Sequence, residues 1–168
     1  MIVELEPLVD ERGSLTRTFD AELFVANGLD PRVAQCSTSV NARCGTLRGL
    51  HYQVAPHGEG KLVRCTQGRI FDVVVDLRKG SPTYMQWVGL ELSAEGANSV
   101  FVVEGCAHGF QTLEDNSVVH YQMTSEHVPE CYRGARWNDP AFAIAWPEPP
   151  NGQRIISERD RNLPDYVP

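Results

Sequence analysis

Between Val33 and Thr124 the chain repeats one pattern: short runs in which apolar and polar residues alternate, each closed by glycine, proline or asparagine. A period of two places successive side chains on opposite faces of an extended strand. The runs 33–40, 45–53, 61–65, 69–77, 84–92, 99–103, 108–113 and 118–124 are therefore predicted strands. Gln67-Gly68 is a hairpin turn between two of them. Ile70-Phe71-Asp72-Val73-Val74-Val75-Asp76-Leu77 is β-branched and rich in apolar residues, as a buried strand requires. Upstream, residues 2–8 and 14–19 read as strands about a turn at Asp10-Glu11-Arg12-Gly13. One helix is predicted there: Asp20 caps it, Leu23 and Phe24 face inward, and it runs through Asn27 to a closing Gly28. Beyond Pro129, Pro140, Pro147, Pro149 and Pro150 disfavour long regular elements. Residues 156–164 suit only a short capped helical turn. No repeat, low-complexity tract or linker divides the chain. The expectation is one all-β domain spanning residues 1–168, a sandwich or barrel of the jelly-roll type with short accessory helices.

Composition narrows the function classes. The chain is 42% hydrophobic and 22% charged, ordinary values for a protein with a sizeable core. A formal net charge of −7 argues against nucleic-acid binding while leaving room for a local basic pocket. The N-terminal residues lack the pattern of a signal peptide, and no apolar run is long enough for a membrane span. Five scattered cysteines without a CxxC pair fit reduced thiols, so the expected compartment is the cytoplasm.

The chemistry concentrates in Gly45-Thr46-Leu47-Arg48-Gly49-Leu50-His51-Tyr52-Gln53. Strict alternation puts Thr46, Arg48 and Leu50 on one face and Leu47, Gly49 and His51 on the other. A lone histidine on such a strand is usually a satisfied core residue. Arg48 and Gln53 nearby, with Lys61 further on, point instead to a site for an anionic ligand. Gly58-Glu59-Gly60-Lys61 is not a phosphate loop, because Leu62 follows the lysine and a strand follows the leucine. His51-Tyr52-Gln53 lacks the second imidazole of a metal-binding jelly roll, so no metal is expected. Cys106 beside a histidine has no adjacent acid to make it a nucleophile. His120 and His127 read as solvent-facing or loop residues. What remains is acid–base chemistry, for which imidazole is the natural base. Tyr121 is a candidate acid, and Lys61 and Arg48 are candidate cations for developing negative charge.

Five stretches resemble the dTDP-4-dehydrorhamnose 3,5-epimerase family of deoxysugar-nucleotide epimerases. They are 45–53, Gly60-Lys61-Leu62-Val63-Arg64-Cys65, Phe71 to Arg78, Glu104-Gly105-Cys106-Ala107-His108-Gly109-Phe110 and Trp137-Asn138-Asp139-Pro140. The resemblance implies a metal-free cupin jelly roll, a homodimer, no cofactor, and a nucleoside-diphosphate 4-keto-6-deoxyhexose as substrate. It implies His51 as the base at C3, and at C5 in double epimerases, paired with Asp160. It implies Tyr121 as the acid on the opposite face and Lys61 as the cation at the C4 oxygen. Arg48, His108 and Arg12 match residues lining the sugar and pyrophosphate, and Gln35 a residue on the nucleotide side. Structural alternatives stand beside these roles: Asp160 as a cap, Tyr121 as a core aromatic, Lys61 as a solvated lysine, Arg12 as a brace for its turn. Glu126-His127 replaces a usual tyrosine pair, Ser37 a common asparagine and Cys106 a usual phenylalanine. The nucleobase and the choice between C3 and C3/C5 chemistry therefore stay open. A 3,4-keto-isomerase and a non-catalytic sugar-binding cupin are the rival readings.

Overall fold

The apolar, β-branched runs become strands in the computed structural model, which describes residues 1–168. In chain order the elements are β1 (Ile2–Glu4), β2 (Pro7–Asp10), β3 (Gly13–Thr16), α1 (Ala21–Ala26), β4 (Gln35–Asn41) and β5 (Thr46–Gln53). They continue with β6 (Lys61–Gln67), β7 (Arg69–Asp76), β8 (Trp87–Ser93), β9 (Asn98–Val102), β10 (Cys106–Thr112) and β11 (Ser117–Met123). β12 (Tyr132–Gly134), β13 (Ile155–Ile156) and α2 (Glu158–Arg161) complete the chain. Two antiparallel sheets face each other as a jelly roll. One is ordered β1-β9-β6-β11-β4, the other β12-β5-β10-β7-β8, with β13 joined in parallel to the start of β5.

Between the sheets, Val63, Cys65, Val100, Val102 and Val119 of the first meet Ile70, Leu92, Cys106 and Phe110 of the second. The second sheet is covered on its outer face as well. Leu47, Leu50, Val73, Val75 and Ala107 pack there against Ala135, Phe142 and Trp146 of the proline-rich segment. Burial on both faces explains why every residue of β10 is buried, with no alternation left to see. The proline-rich segment is firmly docked. Asp139 accepts the N–H groups of Ala141 (2.8 Å) and Tyr166 (2.6 Å), and the Trp146 indole donates to the Trp137 carbonyl at 2.8 Å. The Trp137-Asn138-Asp139-Pro140 motif is thus scaffold. So is the Asp76–Arg78 end of another motif, where the Asp76 carboxylate collects Arg78, Ser81 and Thr83 at the turn leading into β8.

The structure departs from the sequence reading in three instructive places. Residues 2–8 are not one strand: the chain breaks before Pro7, and β1 joins β9 while β2 pairs with β3 in a separate hairpin. Leu23 does not face inward. It is 62% exposed, and α1 touches the sheet through Phe24, which stacks edge-on against Phe19 and Phe101. β12 and β13 were not anticipated, because strands of two or three residues form by pairing with β5 rather than by a pattern of their own.

The most consequential departure lies within β5. Phe110 pairs with Arg48, but His108 pairs with His51, so three steps on β5 oppose two on β10. This bulge breaks the period of two. Leu47 and Leu50 turn together to the outer core, and Arg48 and His51 turn together to the space between the sheets. The expectation that Arg48 and His51 occupy opposite faces is therefore corrected. Gly49, at φ +116°, makes this possible, since a Cβ there would lie 2.6 Å from the Gly109 Cα and 2.8 Å from the His108 carbonyl.

Candidate active site

Side chains of the two sheets together line a cavity of about 440 Å³, a size suited to a small organic ligand. One wall carries Arg48 and His51 on β5 and His108 on β10; the other carries Gln35 on β4, Lys61 on β6 and Tyr121 on β11. Asp160 of α2 closes the rim beside His51. Seven of the nine residues singled out from the sequence thus line one cavity. Arg12 does not: it lies in the β2–β3 turn, its side chain 84% exposed and paired with Asp10. Gln53 does not either. Its amide donates to the His57 and Glu126 carbonyls and accepts the Val128 N–H at 2.7 Å, clamping two loops together.

His51 and Asp160 form the central pair, with Nε2 at 2.9 Å from Oδ1. The other carboxylate oxygen accepts the Gly49 N–H at 3.2 Å. Ser157 caps α2 by accepting the Asp160 N–H, which turns the Asp160 side chain toward β5. Burial alone would raise this carboxyl's pKa. The hydrogen bond and charge of His51, the Gly49 N–H and nearby Arg159 outweigh burial and hold it below the ordinary carboxylate range.

Across the cavity, Tyr121 projects from β11 with its ring edge-on to His108. Burial pushes its phenol pKa far up, the charge of Asp72 adds to this, and Arg48 opposes it. The hydroxyl therefore keeps its proton near neutrality and can donate it. His108 is itself anchored to the fully buried Asp72 at 2.7 Å. Arg48 is aimed by Asn41, whose Oδ1 accepts its Nε–H at 2.9 Å. Gln35 accepts the His127 N–H, tying β4 to the loop after β11. Burial also raises the Cys106 thiol, in keeping with its place in the core rather than among nucleophiles.

Several contributors escape sequence reasoning. Tyr132 of β12 stands diagonal to His51, their ring centroids 5.4 Å apart, and Arg159 lies over the Tyr132 ring at 4.8 Å. Desolvation pushes the Tyr132 phenol up to about 12. His127 lines the cavity from its loop, edge-on to Tyr132. Glu59 enters from the β5–β6 loop. None of these positions carries a spacing signal, because loops and short edge strands bring them in.

Comparison with known proteins gives the same outline. The profile of the dTDP-4-dehydrorhamnose 3,5-epimerase family matches residues 1–167. A dTDP-4-dehydrorhamnose 3,5-epimerase of Methanothermobacter thermautotrophicus is 46% identical over 162 residues, 96% of this chain and 86% of the relative. The crystal structure of the Bacillus anthracis enzyme of that name, with TDP and PPi bound, superposes with a TM-score of 0.92. It is 38% identical, over 98% of this chain and 93% of that one. The Legionella pneumophila dTDP-6-deoxy-D-glucose-3,5-epimerase, in complex with dTDP-4-keto-L-rhamnose, gives a TM-score of 0.89. It is 36% identical, over 99% and 93% of the two chains. The cupin jelly roll, the sequence motifs and the cavity between the sheets agree with this kinship along nearly the whole chain, which belongs to the dTDP-4-dehydrorhamnose 3,5-epimerase family.

Proposed function

We propose that this single-domain protein epimerises a dTDP-linked 4-keto-6-deoxyhexose at C3 and C5 by proton transfer through an enolate. The observation that carries the reading is the opposition of His51 on one sheet, paired with Asp160 of α2, to Tyr121 on the other. The C4 carbonyl acidifies the neighbouring C–H bonds because the carbanion delocalises onto oxygen. His51 takes the proton from one face, and Asp160 orients the ring and stabilises the imidazolium that forms. Lys61, with Arg48 beside the sugar, stabilises the charge on the C4 oxygen. Tyr121 protonates the carbon from the opposite face, which inverts the centre. His51 has then gained a proton and Tyr121 lost one, and exchange with solvent resets both. Gln35 and His108 line the bound nucleotide sugar.

Incubation with dTDP-4-keto-6-deoxyglucose in D₂O is expected to place deuterium at C3 and C5, read by NMR. Protons that stay unexchanged at both carbons would remove the epimerase reading, and a carbonyl moved to C3 would replace it with keto-isomerisation.

We further propose that the working form is a homodimer. Ile2, Leu8, Val9, Leu15 and Leu23 form an apolar patch at the N-terminal hairpin and α1, each more than half exposed. Patches of this kind on a folded chain mark interfaces. Light scattering on the purified protein should give twice the chain mass of 18.7 kDa; a monomer at micromolar concentration would sink this proposal. No helix is long and apolar enough to cross a membrane. All five cysteines are unpaired, and we assign the enzyme to the cytoplasm. Recovery in a secreted fraction on cell fractionation would contradict that assignment.

A further inference from the structure

Glu59 is only 9% exposed in the wall of the cavity, yet the acid–base set gives it no task. The loop that carries it is pinned on both sides. Upstream, Gln53 binds the His57 carbonyl; downstream, Gly60 donates its N–H to the Thr124 hydroxyl at 2.8 Å and accepts the Thr124 N–H at 2.9 Å. Gly60 is hemmed in, since a Cβ there would press against Phe101 and Thr124. From this pinned end of the loop the Glu59 carboxylate reaches a single cationic partner, the Lys61 ammonium at 3.4 Å.

The side chains of this pair are 8% and 12% exposed. A carboxylate buried to that extent is costly unless a cation answers it. The lysine has its own need for a partner, because its four-carbon stem is flexible and an untethered ammonium wanders among rotamers. A cation that stabilises a developing oxyanion is most effective when already in position. The other cations of the cavity are each tethered: Arg48 by Asn41, and Arg159 by the face of Tyr132. Lys61 has Glu59. The separation of 3.4 Å exceeds the ~2.8 Å of a tight charge-assisted hydrogen bond, which leaves the ammonium able to turn an N–H toward a substrate oxygen.

We propose that Glu59 is the positioning residue of Lys61, holding the ammonium against the cavity wall so that it meets the enolate oxygen as charge forms there. The proposal rests on the reading of Lys61 as the enolate-stabilising cation. The test is a double-mutant cycle on full-length protein with dTDP-4-keto-6-deoxyglucose, following kcat, KM and thermal stability. Glu59→Gln, nearly the same shape without the charge, is expected to lower kcat by about 10- to 100-fold and leave KM within about twofold. In a Lys61→Ala background the same substitution is expected to cost nothing more. A Glu59→Gln variant with wild-type kcat overturns the proposal. So does an equal loss in both backgrounds, which would mean that Glu59 acts on the substrate directly. A Lys61→Ala enzyme at wild-type rate removes the underlying reading, and the tether with it; a slow Lys61→Ala with additive Glu59→Gln removes only the tether. Glu59→Asp, which retracts the carboxylate by one methylene, carries the same comparison if the glutamine variant does not fold.

Discussion

His51→Ala is expected to lower kcat for epimerisation by about 10²–10⁴-fold and to abolish deuterium exchange at both C3 and C5. The size follows from the absence of a substitute. The other cavity histidine lined up with a carboxylate, His108, directs its Nε2 to the buried Asp72 and is 4% exposed. dTDP affinity should stay near wild type, whereas the melting temperature should fall, because Asp160, 5% exposed, loses the partner that answers its buried charge. Asp160→Asn keeps the shape and removes the charge, so the imidazolium loses its counter-ion and a loss of up to about 10⁴-fold is expected. A His51→Ala enzyme retaining a tenth of the wild-type rate would end its candidacy as the base. The pair also sets an acid limit. The Asp160 carboxyl is held below its ordinary value, so it contributes stability fully above about pH 4 and loses that contribution as the pH falls through its folded value. An activity that survived unchanged well below that range would contradict the paired geometry.

Tyr121→Phe removes one oxygen atom and should separate the two halves of the reaction. With His51 and Asp160 intact, the proton can still be taken from one face, exchanged with solvent and returned to the same face. Deuterium is then expected to enter the substrate with retention, while formation of the inverted product falls by about 10²–10⁴-fold. NMR of the products in D₂O distinguishes the two fates directly. If the phenylalanine enzyme inverted at the wild-type rate, the acid would have to be sought elsewhere, first at Tyr132 on the rim.

The jelly roll was legible from the spacing of β-branched runs and turns, and the motif residues His51, Tyr121, Lys61, Arg48, His108, Gln35 and Asp160 do converge on one cavity. What escaped was geometry that no local pattern encodes. Alternation assigned Arg48 and His51 to opposite faces, because the bulge that reunites them depends on how closely Gly49 approaches Gly109. Gln53 looked like a binding residue because it shares a stretch with Arg48 and His51, yet two loops closing around it use both ends of its side chain. Arg12 matched a family position, but its own turn holds it in the open. Glu59 looked like part of a failed phosphate loop, and its closeness to Lys61 appears only once the loop's path is fixed. Hydrophobic periodicity reports which face of a strand meets the core. It is silent about which loop end meets which pocket.

His51 and Asp160 stand 109 residues apart in sequence. A contact of that separation cannot form from local structure, because the chain between the two residues must be ordered before imidazole and carboxylate can meet. The early hairpins carry the ring, but only the assembled tertiary fold brings the acid to it. Regain of the proposed proton transfer after dilution from denaturant would therefore report the last long-range docking step rather than the formation of the sheets.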